Sequence, residues 1–264
     1  MPVVDVHAHI YPDKIAAKAT HSIGDFYILP TFGEGSGQHL IDITAESPIT
    51  HFLVHSVAVK PGTVESINTF IANQCAMHPE FTGFASMNQD YEDMEAEINR
   101  AISLGLKGVK IHPDIQKCNV DDPRFMKLFE IIEGRIPATI HTGDYRYDYS
   151  HPRRLRKVLK TFPNLVVDAA HMGGWSVYDI GFDWLHDLEN CYVDTSSSLL
   201  MVGQRHLREL ANMYGTERVM FGTDYPLGDP IWEIEQVLGA GFSEDTLENI
   251  LWHNMERFAN VKIS

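Results

Sequence analysis

Short apolar runs alternate along this chain with longer segments whose apolar positions recur every three or four residues. The first run, Val3-Val4-Asp5-Val6-His7-Ala8-His9, is a strand pattern. Successive side chains on a strand face opposite ways, so Asp5, His7 and His9 share one face and Val4, Val6 and Ala8 the other. From His51 the alternation becomes regular. Residues 52–59, 81–87, 109–112, 138–141, 165–171, 191–195 and 219–224 read as strands. Between and after them, 63–77, 90–104, a helix capped by Asp122 with Pro123 in its first turn, 152–162, 175–188, 204–214, 230–238 and 243–258 read as helices. Counted from Val3 this makes eight strands, each followed by helical material, which predicts a (β/α)8 TIM barrel forming a single domain over residues 1–264. An open doubly wound sheet is the rival, and it lacks the glycine-rich phosphate loop that would follow the first strand. Residues 10–50 break the pattern with Pro12, Pro30, Pro48 and the run Thr31-Phe32-Gly33-Glu34-Gly35-Ser36-Gly37. The apolar and aromatic content there (Phe26, Tyr27, Ile28, Leu29, Phe32) predicts a long ordered connection after strand one, with a helix or two inside it.

Composition narrows the partners. A formal net charge of -15 argues against nucleic acid and anionic membrane, and leaves a small molecule as the expected partner. The local basic run His151-Pro152-Arg153-Arg154-Leu155-Arg156-Lys157 lies on a helix with apolar Leu155, Val158, Leu159 and Phe162, so it is read as a solvated outer face. Cys75, Cys118 and Cys191 are an odd set without CxxC spacing, which fits a reducing compartment and excludes a disulfide framework or a thiolate zinc site. With no charged-then-apolar leader before Val3 and no apolar run of spanning length, the expectation is a soluble cytoplasmic protein. A homo-oligomer is compatible with this composition and not required by it.

The chemistry sits at the strand ends. Strand one ends in His7-Ala8-His9, the fourth in Lys110-Ile111-His112-Pro113, and the fifth in His141-Thr142-Gly143-Asp144. The sixth ends in His171-Met172-Gly173-Gly174, and the eighth in Gly222-Thr223-Asp224-Tyr225-Pro226. A barrel gathers the C-terminal ends of all its strands on one rim, so these distant residues are expected to meet at one metal site. Neutral imidazoles and a carboxylate form a nitrogen–oxygen set suited to one Zn2+, with Mn2+ or Fe2+ as alternatives. His55 and His112 also end strands and are read as pocket lining. Lys110, His112 and Tyr225 are the residues expected to face substrate. His21, His39, His51, His78, His186, His206 and His253 are assigned to loops or helix surfaces.

Taken together, His7-Ala8-His9 after Val-Asp-Val, His141 in Ile-His-Thr-Gly, His171 in Ala-His-Met-Gly-Gly, and Asp224 in Phe-Gly-Thr-Asp-Tyr-Pro resemble the amidohydrolase superfamily. The nearest likeness is to the amidohydrolase-related branch, which holds metal-dependent hydrolases and the aminocarboxymuconate-semialdehyde-decarboxylase-like enzymes. The likeness runs over residues 3–258 apart from the connection. It implies that His7, His9, His141 and Asp224 ligate the metal, that His171 polarises or activates, and that His171 and Asp224 carry the catalysis. Binuclear members bridge two metals through a carboxylated lysine on the fourth strand. The Gly-Val-Lys-Ile-His-Pro pattern around Lys110 resembles mononuclear relatives more. The leading expectation is hydrolysis of an amide, lactone or ester-like bond by metal-activated water. The alternative is non-oxidative decarboxylation of a small unsaturated or aromatic acid, for which a cationic clamp from Lys110, Arg146 or Arg153 would speak. A barrel that binds metal without catalysing anything ranks third, since His171 would then have no role beside a complete ligand set.

Overall fold

The computed structural model describes residues 2–263 and carries the expected barrel. Its strand segments are β1 (Val4–His9), β2 (His51–His55), β3 (Phe81–Gly83), β4 (Ala85–Ser86), β5 (Val109–Ile111), β6 (Ala138–Ile140), β7 (Val167–Ala169), β8 (Cys191–Asp194) and β9 (Val219–Met220). All pair in parallel, in the order β1-β2-β3 and then β4 through β9. β3 and β4 share one barrel position. The handover falls at Phe84, whose N–H donates to Val54 O (3.0 Å), while Ala85 N–H donates to Gly108 O (2.8 Å). β9 meets β1 again: Val6 N–H donates to Phe221 O (2.8 Å), Asp224 N–H to His7 O (2.8 Å) and His9 N–H to Tyr225 O (2.7 Å). The cylinder is thereby closed without a free edge.

Amphipathic helices bury their apolar stripes against this cylinder. Pro123–Ile132 buries Phe125, Leu128, Phe129 and Ile132, and Pro152–Thr161 buries Leu155, Val158 and Leu159. The outer face of the latter carries the basic run, neutralised by acids: Arg153 pairs with Asp148, Arg154 with Asp121 and Asp148, Arg156 with Asp187, and Lys157 with Asp121. Among the described residues all three cysteines are free, and no helix is long and apolar enough to cross a membrane.

Several elements are shorter than their sequence patterns. β7 stops at Ala169 because His171 and Met172 take left-handed backbone (φ 64° and 51°), which a strand cannot continue through. The following helix starts only at Tyr178, after left-handed Ser176 (φ 62°). The helix expected at 204–214 reaches back to Leu199 across a break at Gly203, and 243–258 divides into Glu244–Glu248, a π-helical turn Asn249–His253 and Asn254–Ala259.

The connection after β1 is ordered and holds two helices, α1 (Asp13–Tyr27) and α2 (Gly37–Thr44), the second capped by Ser36. It is pinned to the rim at several points. Phe32 N–H donates to Pro226 O (2.8 Å), Tyr11 N–H to Gly35 O (2.8 Å), and Gly35 N–H to the Tyr225 hydroxyl (2.9 Å). Gly33 is required here, since a Cβ would collide with the Tyr225 ring.

Candidate metal centre

The strand exits deliver their polar side chains into one buried network. His7 ends β1 with Nδ1 held by the Asp194 carboxylate of β8 (2.7 Å), so Nδ1 carries the proton and Nε2 presents its lone pair to the interior. Lys110 Nζ donates to that nitrogen (2.9 Å), and Asp224 Oδ1 lies 3.6 Å from it and 3.5 Å from His9 Nε2. Gly222 permits this approach: a Cβ there would lie 3.0 Å from His7 Cβ. Asp224 sits in left-handed backbone (φ 61°), and its Oδ2 accepts from the Ser197 hydroxyl (2.5 Å). His171, equally left-handed, donates its backbone N–H to Asp194 Oδ1 (3.0 Å) and Nδ1–H to Ser196 O (3.0 Å). Such backbone costs on the order of 1 kcal/mol per non-glycine residue and marks sites that the surroundings over-determine.

His171 Nε2 lies 3.0 Å from His141 Nδ1. His141 therefore joins the His7–His9–Asp224 group through His171 and not through an ion pair with Asp224. Its Nε2 is 3.3 Å from Asp114 Oδ2, without hydrogen-bond alignment. His112 stacks flat on His141 (3.9 Å, 7°), and the Tyr27 hydroxyl bridges His112 Nε2 (2.6 Å) and His141 Nδ1 (3.3 Å). His55 packs edge-on to His7 and His9, with ring centroids 4.8 and 4.5 Å away.

Burial sets the charges. Desolvation holds His7, His9, His55 and His112 well below the usual imidazole range, and brings His141 and His171 down to about 3. All six are therefore neutral at pH 7, the state in which imidazole ligates metals. Burial also pushes Asp224 up to about 7, against the Ser197 hydrogen bond and the Lys110 charge, and lowers Lys110 to about 8. A site that disfavours its own carboxylate in this way favours a cation beside it. His9 Nδ1, both nitrogens of His55 and His141 Nε2 have no hydrogen-bond partner, although buried polar atoms nearly always do. The groups His7–His9–His55, His7–His171–Asp194 and His112–Asp114–His141 each bring ligand atoms within 4.8 Å of one another. Neutral nitrogens, a desolvated carboxylate and unsatisfied lone pairs fit a divalent ion.

Tyr225, expected to face substrate, and Arg146 and Arg153, weighed as a cationic clamp for the decarboxylase reading, are engaged elsewhere. Tyr225 turns into the connection, its hydroxyl engaged with Gly35 N, Ser36 O and His39 Nδ1. Arg146 is saturated by Asp144 (2.7 Å) and Phe26 O (2.7 Å) under four aromatic rings, Phe26, Tyr27, Tyr147 and Trp175, at 5.0–5.6 Å, so it clamps the connection. Arg153 faces outward, paired with Asp148. Lys110 and His112 do belong to the network. Asp194, Asp114 and Tyr27 were missed by sequence reasoning. Asp194 closes the strand pattern Cys-Tyr-Val-Asp and carried the same signal as the other strand-end groups, whereas Tyr27 carried none. Beside the network, an apolar-walled cavity of about 880 Å3 opens between α1 and the β2 exit, lined by Tyr11, Phe26, Ser56, Ile115, Lys18 and Lys60 among others.

Fold and site together define a TIM barrel with a buried histidine–carboxylate centre at its C-terminal rim. The chain belongs to the amidohydrolase family, whose model matches residues 4–258. A 2-amino-3-carboxymuconate-6-semialdehyde decarboxylase from Dictyostelium discoideum is 30% identical over 241 residues, 74% of this chain and 66% of the relative, so the match spans just under two thirds of that protein. Among solved structures, an uncharacterised TIM-barrel protein from Bordetella bronchiseptica superposes with a TM-score of 0.79 at 20% identity, covering 98% of both chains. A dihydroxybenzoic acid decarboxylase from Polaromonas, solved with bound manganese and the inhibitor 2-nitroresorcinol, superposes with a TM-score of 0.76 at 16% identity, covering 100% of this chain and 98% of the other.

Proposed function

We propose that residues 1–264 form one catalytic domain performing metal-dependent, non-oxidative decarboxylation of a small unsaturated or aromatic carboxylic acid. The observation that carries this reading is the 30% identity to a decarboxylase across 74% of the chain, which favours the lyase over the hydrolase expected first from sequence. In this reading His7, His9, His141 and Asp224 hold one divalent ion, Zn2+ by its nitrogen-rich donor set, with Mn2+ the test alternative because the Polaromonas relative binds it. When bound, the ion supplies Lewis acidity that draws electron density from a coordinated substrate oxygen.

The remaining work belongs to the chain. The acid enters by the apolar cavity, whose lining includes Lys18 and Lys60. Asp224 Oδ1 holds the movable proton, and His171 Nε2, which presents a lone pair, relays it to the carbon that bears the carboxylate. The bond to the carboxylate then breaks, its electron pair returns to the conjugated system, and carbon dioxide leaves. The product keeps the proton, and solvent restores it to the chain. Asp194 fixes the orientation of His7 and, through its backbone bond, that of His171.

Replacing His171 with alanine is expected to lower turnover by about 10²–10⁴-fold while metal content stays near that of the wild type. Turnover close to wild type would remove His171 from the chemistry. Carbon dioxide release from a panel of aromatic and unsaturated acids supports the lyase. Cleavage of lactones or amides with none from the acids returns the assignment to hydrolysis.

A further inference from the structure

His55 and His112 are the rim imidazoles that the proposed chemistry does not use, and of the two only His55 lacks a partner at both ring nitrogens. His55 ends β2 in register with His9 across the parallel β1–β2 pair, so the two side chains stand beside each other on neighbouring strands. Its backbone carbonyl is taken by Ile10 N–H (3.0 Å), which ties the exit of β2 to that of β1. The side chain is fully buried, and neither ring nitrogen has a partner. An imidazole always has one N–H donor and one lone pair when neutral, so both are left unsatisfied out of water, an arrangement that costs more than a hydrogen-bonded histidine or an apolar residue of like size. The other rim histidines do not share this condition in full. His112 has both nitrogens engaged, by Ile115 N–H and the Tyr27 hydroxyl. His171 has both engaged, and His7 is held by Asp194 and Lys110.

His55 also lies where a cation would satisfy it. Its ligand nitrogen falls within 4.8 Å of those of His7 and His9. Ligand nitrogens around a tetrahedral zinc-sized ion stand about 3.4 Å apart at bond lengths of about 2.1 Å, so a contraction of at most about 1.4 Å between neighbours closes the set. We propose that His55 is a further ligand of the divalent ion, completing with His7, His9 and Asp224 a nitrogen-rich set at the β1–β2 edge of the rim. The proposal rests on the metal-dependent reading above. A third imidazole from this edge would bias the site toward borderline ions such as Zn2+ or Co2+ over the oxygen-preferring Mn2+.

The test loads the full chain with Co2+ and Zn2+ and compares wild type with His55→Leu, whose side chain fills similar space without polar atoms. The expected result is at least a tenfold loss of affinity in chelator competition and a changed visible spectrum of the Co2+ form, while the metal-free variant is as stable as wild type or more so. Affinity within threefold of wild type and an unchanged Co2+ spectrum would overturn the role of His55. Wild type that takes up neither ion stoichiometrically would overturn the metal-dependent reading itself, so the two failures are distinguishable. Should the variant not fold, the zinc-loaded wild-type crystal structure decides: a His55 nitrogen about 2.0–2.3 Å from the ion supports the proposal, and one beyond about 3 Å overturns it.

Discussion

The rim holds two clusters of buried imidazoles with acidic companions, and they differ in how their polar atoms are satisfied. In the His112–His141–Asp114 cluster, His112 accepts from Ile115 N–H (3.3 Å) and meets the Tyr27 hydroxyl (2.6 Å), and Asp114 accepts from the Ser150 hydroxyl (2.5 Å). Neutral donors close most of that cluster, and only His141 Nε2, on the ring assigned to the ion, lacks a partner. In the His7–His9–His55 cluster, three ring nitrogens have no partner; Asp194 holds only His7 Nδ1 (2.7 Å), and Asp224 stands 3.5–3.6 Å from the Nε2 atoms of His7 and His9. Both are equally buried and contain the same residue types, so burial and composition do not tell a ligand set from a scaffold. Unsatisfied lone pairs do, because their desolvation is compensated only when something binds.

The strongest way to break this comparison is to remove the carboxylate behind each cluster. Asp194 accepts from His7 Nδ1, His171 N–H and Ser196 N–H, so Asp194→Asn turns an amide N–H toward groups that donate. Its expected cost is about 3 kcal/mol in denaturant unfolding, with a fall in metal affinity of about 10–100-fold by chelator competition. Asp114→Asn, facing His141 at 3.3 Å without alignment, should affect metal affinity less. Equal losses from the two variants would erase the distinction drawn between the clusters.

How much of this was legible beforehand follows from the range of the forces involved. The barrel was legible because strand and helix periodicities are local, and His7, His9, His141, His171 and Asp224 because strand ends converge whenever a barrel closes. What failed was tertiary. Nothing near Tyr27 in the chain says that α1 will lay its last turn over His112, or that Arg146 will spend its guanidinium on Asp144 and Phe26 O. The run 165–171 carries a strand pattern to its end, yet the left-handed backbone of His171 is imposed by the site around it. Tyr225 follows the ligand-like Asp224 by one residue and still points elsewhere, since its ring is what the glycine-rich turn packs on.

A subtler separation comes from pH. Burial raises the carboxyl of Asp5, beneath the His7–His9–His55 cluster, to about 7, and that of Asp114, in the His112–His141–Asp114 cluster, to about 6. A raised carboxyl keeps its proton in the folded chain after the unfolded chain has released it. Its stabilising contribution is therefore full below about pH 4 and is lost as pH rises to the folded value. The buried histidines, held low, act in the opposite sense below their ordinary range, so the carboxyls must be isolated by difference. Relative to Asp5→Asn, the metal-free wild type should lose about 3 kcal/mol between pH 4 and 7. Relative to Asp114→Asn the loss should end nearer pH 6. Flat difference curves in denaturant titrations would mean that neither carboxyl is held neutral by burial.

The smallest effect expected is that of Tyr27→Phe, and it isolates the closed cluster. Because His112 Nδ1 accepts from Ile115 N–H, its Nε2 carries the ring proton and donates to the Tyr27 oxygen. Burial holds the Tyr27 phenol well above its usual range, so it is neutral; His141 Nδ1, 3.3 Å from its oxygen, donates its own proton to His171 Nε2. Phenylalanine keeps the ring packed on Trp175 at 4.8 Å and leaves one buried N–H without an acceptor, a cost of about 1 kcal/mol or somewhat more. Unfolding free energy should fall by that amount while metal content and the Co2+ spectrum stay as in wild type. A loss of bound metal in this variant would mean that the Tyr27 hydroxyl, 3.3 Å from His141 Nδ1, is needed to hold that ligand in place for the ion, and that this cluster is more than a scaffold around it.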